Sequence, residues 1–90
     1  MTGIIQHTLN PANIMIYTTT HCGDCRTAKS YFKQKNIPYL EINIEQDDKA
    51  AGFVKDLNRG FASVPTIIFP DGSILVEPDI QELNAKFSKP

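Results

Sequence analysis

Apolar residues occur along this chain in two kinds of strand pattern. Ile14–Tyr17 and Thr66–Phe69 are short runs rich in β-branched and aromatic residues, which is typical of strands buried on both faces. From Tyr39 to Ile44 apolar and polar residues alternate, and this period of two predicts a half-buried strand. Ile74–Val76 follows the turn signal Pro70-Asp71-Gly72-Ser73 and should return antiparallel, as the second strand of a hairpin.

Three further segments carry apolar residues at helical spacing. Asn36-Ile37-Pro38 should end the first helix, and Asp47-Asp48 suits the positive start of the second. Gly60 is the predicted stop of that helix. Asp79, with Glu82 three residues later, begins the third with an acidic capping box. The apolar stripes are Cys25, Ala28 and Phe32, then Ala50, Phe53, Val54 and Leu57, then Ile80, Leu83 and Phe87.

The element order is therefore β-α-β-α-β-β-α, which predicts an α/β fold. We expect a four-stranded mixed sheet flanked by three helices that cover both faces. The first two strands should be parallel, joined by a right-handed helical crossover. The two continuous apolar runs belong at the centre of the sheet and the other two strands at its edges. Residues 1–90 should form a single domain, with residues 1–12 as a polar lead-in whose His7 is solvated.

Composition narrows the function classes. Of the 90 residues, 41% are hydrophobic and 21% charged, and the net charge of −1 comes with no basic stripe, so nucleic-acid binding is not expected. The lysines at 29, 33 and 35 fall on the solvent side of the first helix. The longest apolar run has four residues, far short of the roughly 20 that span a bilayer. No Lys or Arg precedes Arg26, so a signal peptide is not predicted, and we expect a cytoplasmic monomer.

The candidate reactive residues of the chain are in the motif Cys22-Gly23-Asp24-Cys25. This motif follows a predicted strand and opens a helix within a β-α-β unit, which is a strong signal for redox chemistry. In a reducing cytosol such a pair is catalytic or metal-binding rather than a structural crosslink. Cys22 is the predicted nucleophile. Cys25, one turn into the helix and less exposed, would attack the mixed disulfide on Cys22 and release the reduced product.

The position of Cys22 at a helix N-terminus favours its thiolate, because free backbone N–H groups and the helix dipole stabilise negative charge. Such placement lowers a cysteine pKa from about 8.5 to between roughly 3.5 and 7.5. Asp24 opposes this effect, whereas Arg26 and a protonated His21 support it. A thiolate absorbance titration with a midpoint above pH 8 would contradict the expected low pKa.

Two other uses of the cysteines remain open. Cys22 and Cys25 have the spacing of zinc ligands, and an iron–sulfur cluster bridged between two chains would use the same pair. The nitrogen ligands on offer are His7 and His21, and His21 adjoins Cys22 too closely to share a metal with it comfortably. A protein-interaction domain on a redox fold is the third alternative.

The chain resembles the glutaredoxins in three places: Tyr17 through Cys25, then Ser63-Val64-Pro65-Thr66, then Asp71-Gly72. The likeness runs from about Ile14 to Phe87 and is strongest to the mycoredoxin-like and related bacterial glutaredoxin-like proteins. It implies a thioredoxin fold and thiol–disulfide oxidoreductase activity on protein disulfides or mixed disulfides, with no tightly bound cofactor. The reductant would be glutathione, an analogous low-molecular-weight thiol, or a thioredoxin-reductase-type donor.

The resemblance also implies site residues. A cis bond should precede Pro65, and the backbone of Val64 should pair with the incoming peptide or thiol. Asp79 falls where the family holds the γ-glutamyl end of glutathione. The chain departs from the family at Thr19, where glutathione-using members have a lysine, and at Val76-Glu77, where they have two glycines. Arg26 or Arg59 could supply the missing cation for a thiol carboxylate, and the residues predicted to contact substrate or thiol are therefore Val64, Pro65, Asp79 and Arg26.

Overall fold

A computed structural model describes residues 7–88 of the chain. Within this range the elements follow the predicted order. They are β1 (Ile14–Thr18), α1 (Gly23–Gln34), β2 (Tyr39–Asn43), a 3-10 turn (Ile44–Gln46), α2 (Asp48–Leu57), β3 (Thr66–Ile68), β4 (Ile74–Val76) and α3 (Ile80–Phe87). Of the predicted lead-in, residues 1–6 lie outside the described residues.

The four strands form one mixed sheet in the order β2-β1-β3-β4. β1 is parallel to β2, and β3 is antiparallel to both β1 and β4. The two continuous apolar runs therefore supply the central strands and the other two supply the edges, as predicted. All five residues of β1 and all three of β3 are buried, because helices cover the sheet on both sides.

Two clusters of buried side chains fill the space between sheet and helices. The first, on the α1 and α3 side, centres on Ile16, Phe32 and Leu83, each fully buried. The second, on the α2 side, centres on Tyr17 and Val54. Alternate residues of β1 point into opposite clusters, so this strand belongs to both cores and is held firmly in place. The predicted fold class is confirmed.

Three details differ from the predicted pattern. β2 ends at Asn43, because the Asn43 side chain accepts a hydrogen bond from the Glu45 N–H and turns the chain into the 3-10 turn. Leu40 is 45% exposed, since an edge strand has a neighbour on one side only and the α2-side cluster includes Ile42 and Ile44 but not Leu40. Ile80 and Phe87, predicted to be core residues, are 43% and 39% exposed, whereas Leu83 alone anchors α3 fully.

The turn between β3 and β4 forms as its residues predict. The Gly72 N–H donates to Phe69 O, and the Phe69 N–H donates to Ser73 O, both at 2.9 Å. Gly72 has a φ of 88°, in the left-handed region that favours glycine. Across residues 7–88, no helix combines the length and the apolar character that crossing a membrane requires.

Candidate active site

The cysteine motif lies at the junction of β1 and α1. Cys22 is the N-cap of α1, with extended backbone (φ −143°, ψ 105°), and the Cys25 N–H donates to Cys22 Sγ at 3.1 Å. An N-cap side chain normally accepts this kind of bond through oxygen, so sulfur takes that place here. In the reduced protein, the same N–H would point at the thiolate that the sequence predicts.

The two cysteines differ sharply in exposure. Cys22 is half-buried at the edge of the protein, whereas Cys25 is only 1% exposed. They are joined in a disulfide, with their Cα atoms 5.2 Å apart, within the usual range for such bonds. The structure is thus the oxidised form, and the sulfur that an external molecule can reach is that of Cys22.

Side chains from β2 and the turn after it support the loop before Cys22. The Thr18 hydroxyl donates to Glu41 Oε2 at 2.7 Å, and the Lys29 ammonium donates to the same oxygen at 2.8 Å. Burial raises the pKa of Glu41, but the hydrogen bonds from Lys29 and Thr18 outweigh it and hold that pKa below 4.5. This carboxylate therefore stays ionised and ties β1, α1 and β2 together behind the motif.

The loop itself is fastened at Thr20. Its N–H donates to Glu45 Oε1 and its hydroxyl accepts from Asn43 Nδ2, both at 3.0 Å. The bond from the Thr20 N–H is the main reason that the pKa of Glu45 lies below its usual value. Sequence reasoning missed Glu41 and Glu45, because contacts across 23 to 25 residues leave no local signal.

Val64 and Pro65 lie at the same end of the sheet as the motif. The Val64–Pro65 peptide bond is cis, as the resemblance implied. Because Tyr17 pairs with Thr66 across the antiparallel strands, Pro65 lies beside the C-terminal end of β1, where the loop to Cys22 begins. Pro65 O accepts from the Glu77 N–H at 2.8 Å. Within residues 7–88 no hydrogen bond engages the N–H or C=O of Val64.

Arg26 lies in the first turns of α1, and Asp79 is the N-cap of α3. Arg26 is exposed, and its Nη2 is 3.9 Å from the position that a Cβ would take on Gly23, so the guanidinium folds back toward the motif. Asp79 Oδ1 accepts from the Glu82 N–H at 2.8 Å, and the Asp79 N–H donates to Glu82 Oε1 at 3.1 Å. The predicted capping box is therefore present, and one oxygen of Asp79 serves the helix rather than a ligand.

His7 contradicts the expectation that it is solvated. Its Nδ1 is 3.0 Å from the Tyr17 hydroxyl, and its Nε2 is 4.0 Å from Asp47 Oδ2. The ring stacks on Phe53 at 5.5 Å between centroids, leaving the side chain 14% exposed. Burial, and to a lesser degree the charge of Asp47, raises the pKa of Tyr17 to about 12. No periodicity in the lead-in signals this contact.

The raised pKa of Tyr17 predicts a loss of stability in alkali. Its folded-state pKa exceeds the ordinary value of 10, so above pH 10 the unfolded chain loses the phenolic proton first and unfolding becomes easier up to about pH 12. Tyr17→Phe should remove this part of the fall in unfolding free energy, and with it a late phase of tyrosine ionisation seen by ultraviolet absorbance. A late phase that persists in Tyr17→Phe, or that vanishes in Tyr39→Phe, would contradict the assignment.

The zinc alternative gains no support from the geometry. In the part of the chain that the structure describes, no three or more His, Cys, Asp or Glu residues come together as a group able to hold a metal ion. His7, one of the two nitrogen ligands considered, contacts Tyr17 and Phe53 instead. His21 is exposed beside Cys22.

The chain is similar in sequence to a known family and to several of its members. The glutaredoxin family model matches residues 14–74, which include the cysteine motif and the Val64–Pro65 bond. The chain is 42% identical over 78 residues to the glutaredoxin-type protein Rv3198A of Mycobacterium tuberculosis, covering 87% of this chain and 93% of the relative. It is 33% identical over 75 residues to mycoredoxin 1 of Corynebacterium glutamicum, covering 83% and 92%.

Solved structures share the fold. The glutaredoxin of Archaeoglobus fulgidus superposes with a TM-score of 0.75 over 98% of this chain and all of the other, at 17% identity. The thioredoxin-like protein BC3987 superposes with a TM-score of 0.70 over 80% of this chain and 96% of its own, at 26% identity. The sheet order, the cysteine pair at the start of α1 and these matches together place the chain in the glutaredoxin family.

Proposed function

We propose that this protein is a thiol–disulfide oxidoreductase that reduces protein disulfides, or mixed disulfides with low-molecular-weight thiols, through Cys22 and Cys25. The observation that carries the proposal is the unequal exposure of two cysteines joined in a disulfide, with Cys22 at the N-cap of α1 and Cys25 buried behind it. The sulfur of Cys22 is accessible to a substrate, and the sulfur of Cys25 is shielded from it.

The reaction proceeds in two exchanges. The Cys22 thiolate attacks one sulfur of the substrate disulfide, forms a mixed disulfide with it, and expels the other substrate sulfur as a thiolate. The Cys25 thiolate then attacks Cys22 Sγ, which forms the Cys22–Cys25 disulfide and releases the second substrate thiolate. Two electrons pass to the substrate, and the oxidised pair is the form that the structure contains. Two equivalents of a donor thiol, or a flavoprotein reductase, restore the dithiol.

Val64 is proposed to hold the substrate chain in the way that an added strand would. Its N–H and C=O make no hydrogen bond within residues 7–88, and it lies at the end of the sheet where the motif begins. Backbone groups of this kind bind extended peptides without selecting a sequence. Pro65 fixes the path of the chain beside them.

The donor is proposed to be a low-molecular-weight thiol in the cytosol, where such pools keep cysteines reduced. The glutaredoxin family works with thiols of this kind. Turnover can be measured as NADPH consumption on a glutathionylated small disulfide, recycled by glutathione and glutathione reductase. Fast turnover would identify glutathione as the donor. Turnover that appears only with thioredoxin reductase would reassign the donor, and none with any donor, from protein whose Cys22 is readily alkylated, would refute catalysis.

Arg26 is the proposed cation for the thiol carboxylate. Its guanidinium folds toward the motif, and an exposed ion pair contributes up to about 1 kcal/mol. Arg26→Ala is therefore expected to raise the apparent KM for the thiol by about threefold to fivefold with little change in kcat. Arg59→Ala is the comparison, because Arg59 is the other candidate. If KM rises only in Arg59→Ala, then Arg59 is the cation that binds the thiol carboxylate. If KM is unchanged in both variants, neither arginine has this role.

A further inference from the structure

A groove of about 540 Å³ runs between α1 and α3. Its walls include Arg26, Ser30 and Gln34 from α1, Lys35 at the C-cap of that helix, and Ile80 and Asn84 from α3. Arg26, Ser30 and Gln34 follow one another at four-residue intervals and so lie on one face of α1, and Lys35 closes the groove at the C-cap of the helix. The groove begins next to the cysteine motif, since the Arg26 N–H donates to Cys22 O at 3.2 Å.

The groove is positively charged. Arg26 and Lys35 are its only charged wall residues within residues 7–88. Neither is in an ion pair with a carboxylate of that range, in contrast to Lys29 and Lys86. Asp79, at the start of α3, is not part of the wall. This surface differs in sign from the chain as a whole, whose net charge is −1.

The groove is also preorganised. The Tyr31 hydroxyl donates to Asn84 Oδ1 at 2.9 Å across its floor, and this bond fixes the separation of the two helices. Tyr31 is 7% exposed, and the Lys35 ammonium lies 5.6 Å from the centre of its ring. A cation within about 6 Å of a ring centroid is attracted to the ring face, which restrains the Lys35 ammonium beside the groove.

We infer that this groove binds an acidic segment of the protein disulfide substrate, adjacent in sequence to the cysteine that Cys22 attacks. The inference rests on the proposed function and adds a substrate class to it. Arg26 and Lys35, the C-cap of α1, are nine residues apart, so their backbones are about 13.5 Å apart along the helix axis, the length of about four residues of extended peptide.

The test uses peptides with one cysteine in a mixed disulfide with a chromophoric aryl thiol. About four glutamates precede or follow the cysteine, and glutamines replace them in the reference peptides. Reduced Cys25→Ser protein attacks the peptide sulfur once through Cys22, and the released aryl thiolate reports the rate. At low ionic strength one of the glutamate peptides is expected to react about threefold to tenfold faster than its glutamine counterpart, an effect that salt should weaken.

Lys35→Glu is expected to abolish this preference, and Lys33→Glu is the matched control. Lys33 is on the same helix and is exposed, but it is not part of the groove wall, and the two substitutions change the net charge equally. Rates with the uncharged peptides should stay the same in both variants. The docking site would be overturned if both variants lost the preference for glutamate peptides equally. It would also be overturned if the unsubstituted groove showed no preference, whether the glutamates precede or follow the cysteine.

A separate measurement distinguishes failure of docking from failure of the proposed function. If no peptide reacts at all, including the glutamine reference, the oxidoreductase proposal fails. Docking is then measured with a cysteine-free glutamate peptide by nuclear magnetic resonance. Shifted amide signals at Ser30, Gln34 and Asn84, absent in Lys35→Glu, would support the groove as an acidic-peptide site, and unshifted signals would overturn it.

Discussion

Cys22→Ser is expected to lower disulfide reduction by about three orders of magnitude or more, to the uncatalysed rate. Serine has nearly the same shape and can accept the same N–H from Cys25, so α1 should keep its N-cap. Its hydroxyl, however, is not ionised near neutral pH and is a poor nucleophile toward sulfur. The coupled NADPH assay measures the loss, and circular dichroism checks that the fold is retained.

Cys25→Ser is the matched control for this prediction, because it removes the other sulfur of the same motif. The accessible Cys22 should still perform the first exchange, so a single turnover with a chromophoric disulfide should proceed at close to the normal rate. A substrate protein should then stay bound to Cys22 through a mixed disulfide, and mass spectrometry should detect this adduct. Reversed results, with Cys25→Ser inactive in the first step and Cys22→Ser active, would exchange the two roles.

Phe32→Ala is expected to reduce the free energy of unfolding by about 3–5 kcal/mol, the range for removal of a buried aromatic ring. Phe32 is fully buried, and its ring is 5.4 Å from that of Tyr39 and 6.1 Å from that of Phe87 between centroids. The free energy of unfolding of a small domain is only about 5–15 kcal/mol, so this substitution should remove a large share of the protein's stability. Urea denaturation of the oxidised protein, followed by circular dichroism, measures it.

Phe61→Ala provides the comparison, since the same ring is 69% exposed there. Its effect should stay within about 0.5 kcal/mol, as for most surface substitutions. Comparable losses in the two variants would show that the α1-side cluster is not the main source of stability.

The parts of the fold that could be predicted are those with a local cause. Ile14–Tyr17 is continuously apolar because β1 is covered on both faces, and the alternation in β2 marks an edge. Asp79 and Glu82, three residues apart, form the capping box that marks the start of α3. In each case the residues that create the signal are also the residues that form the element.

The parts that could not be predicted depend on residues far apart in sequence. His7 was expected in solvent because its neighbours are polar, yet it meets Phe53, 46 positions later. The hydrogen bond from Thr18 to the Glu41 carboxylate can form only when β1 and β2 are paired. The same holds for the groove, whose Arg26 and Asn84 lie on helices that the sequence does not show to be neighbours. Cys22 and Cys25 share one helical turn, and of the residues in the candidate site they alone could be predicted from a local pattern.

The shortness of β4 has a consequence for aggregation. β4 forms an edge of the sheet and presents Ile74 and Val76, 36% and 40% exposed, which is the kind of edge that can pair with another chain. It is only three residues long. The Gly72 turn closes one end, and Glu77, with φ at 50°, turns the backbone out of register at the other, just before Pro78. An incoming strand would therefore find few hydrogen bonds to make, and these apolar side chains can remain at the surface with little risk of edge-to-edge polymerisation.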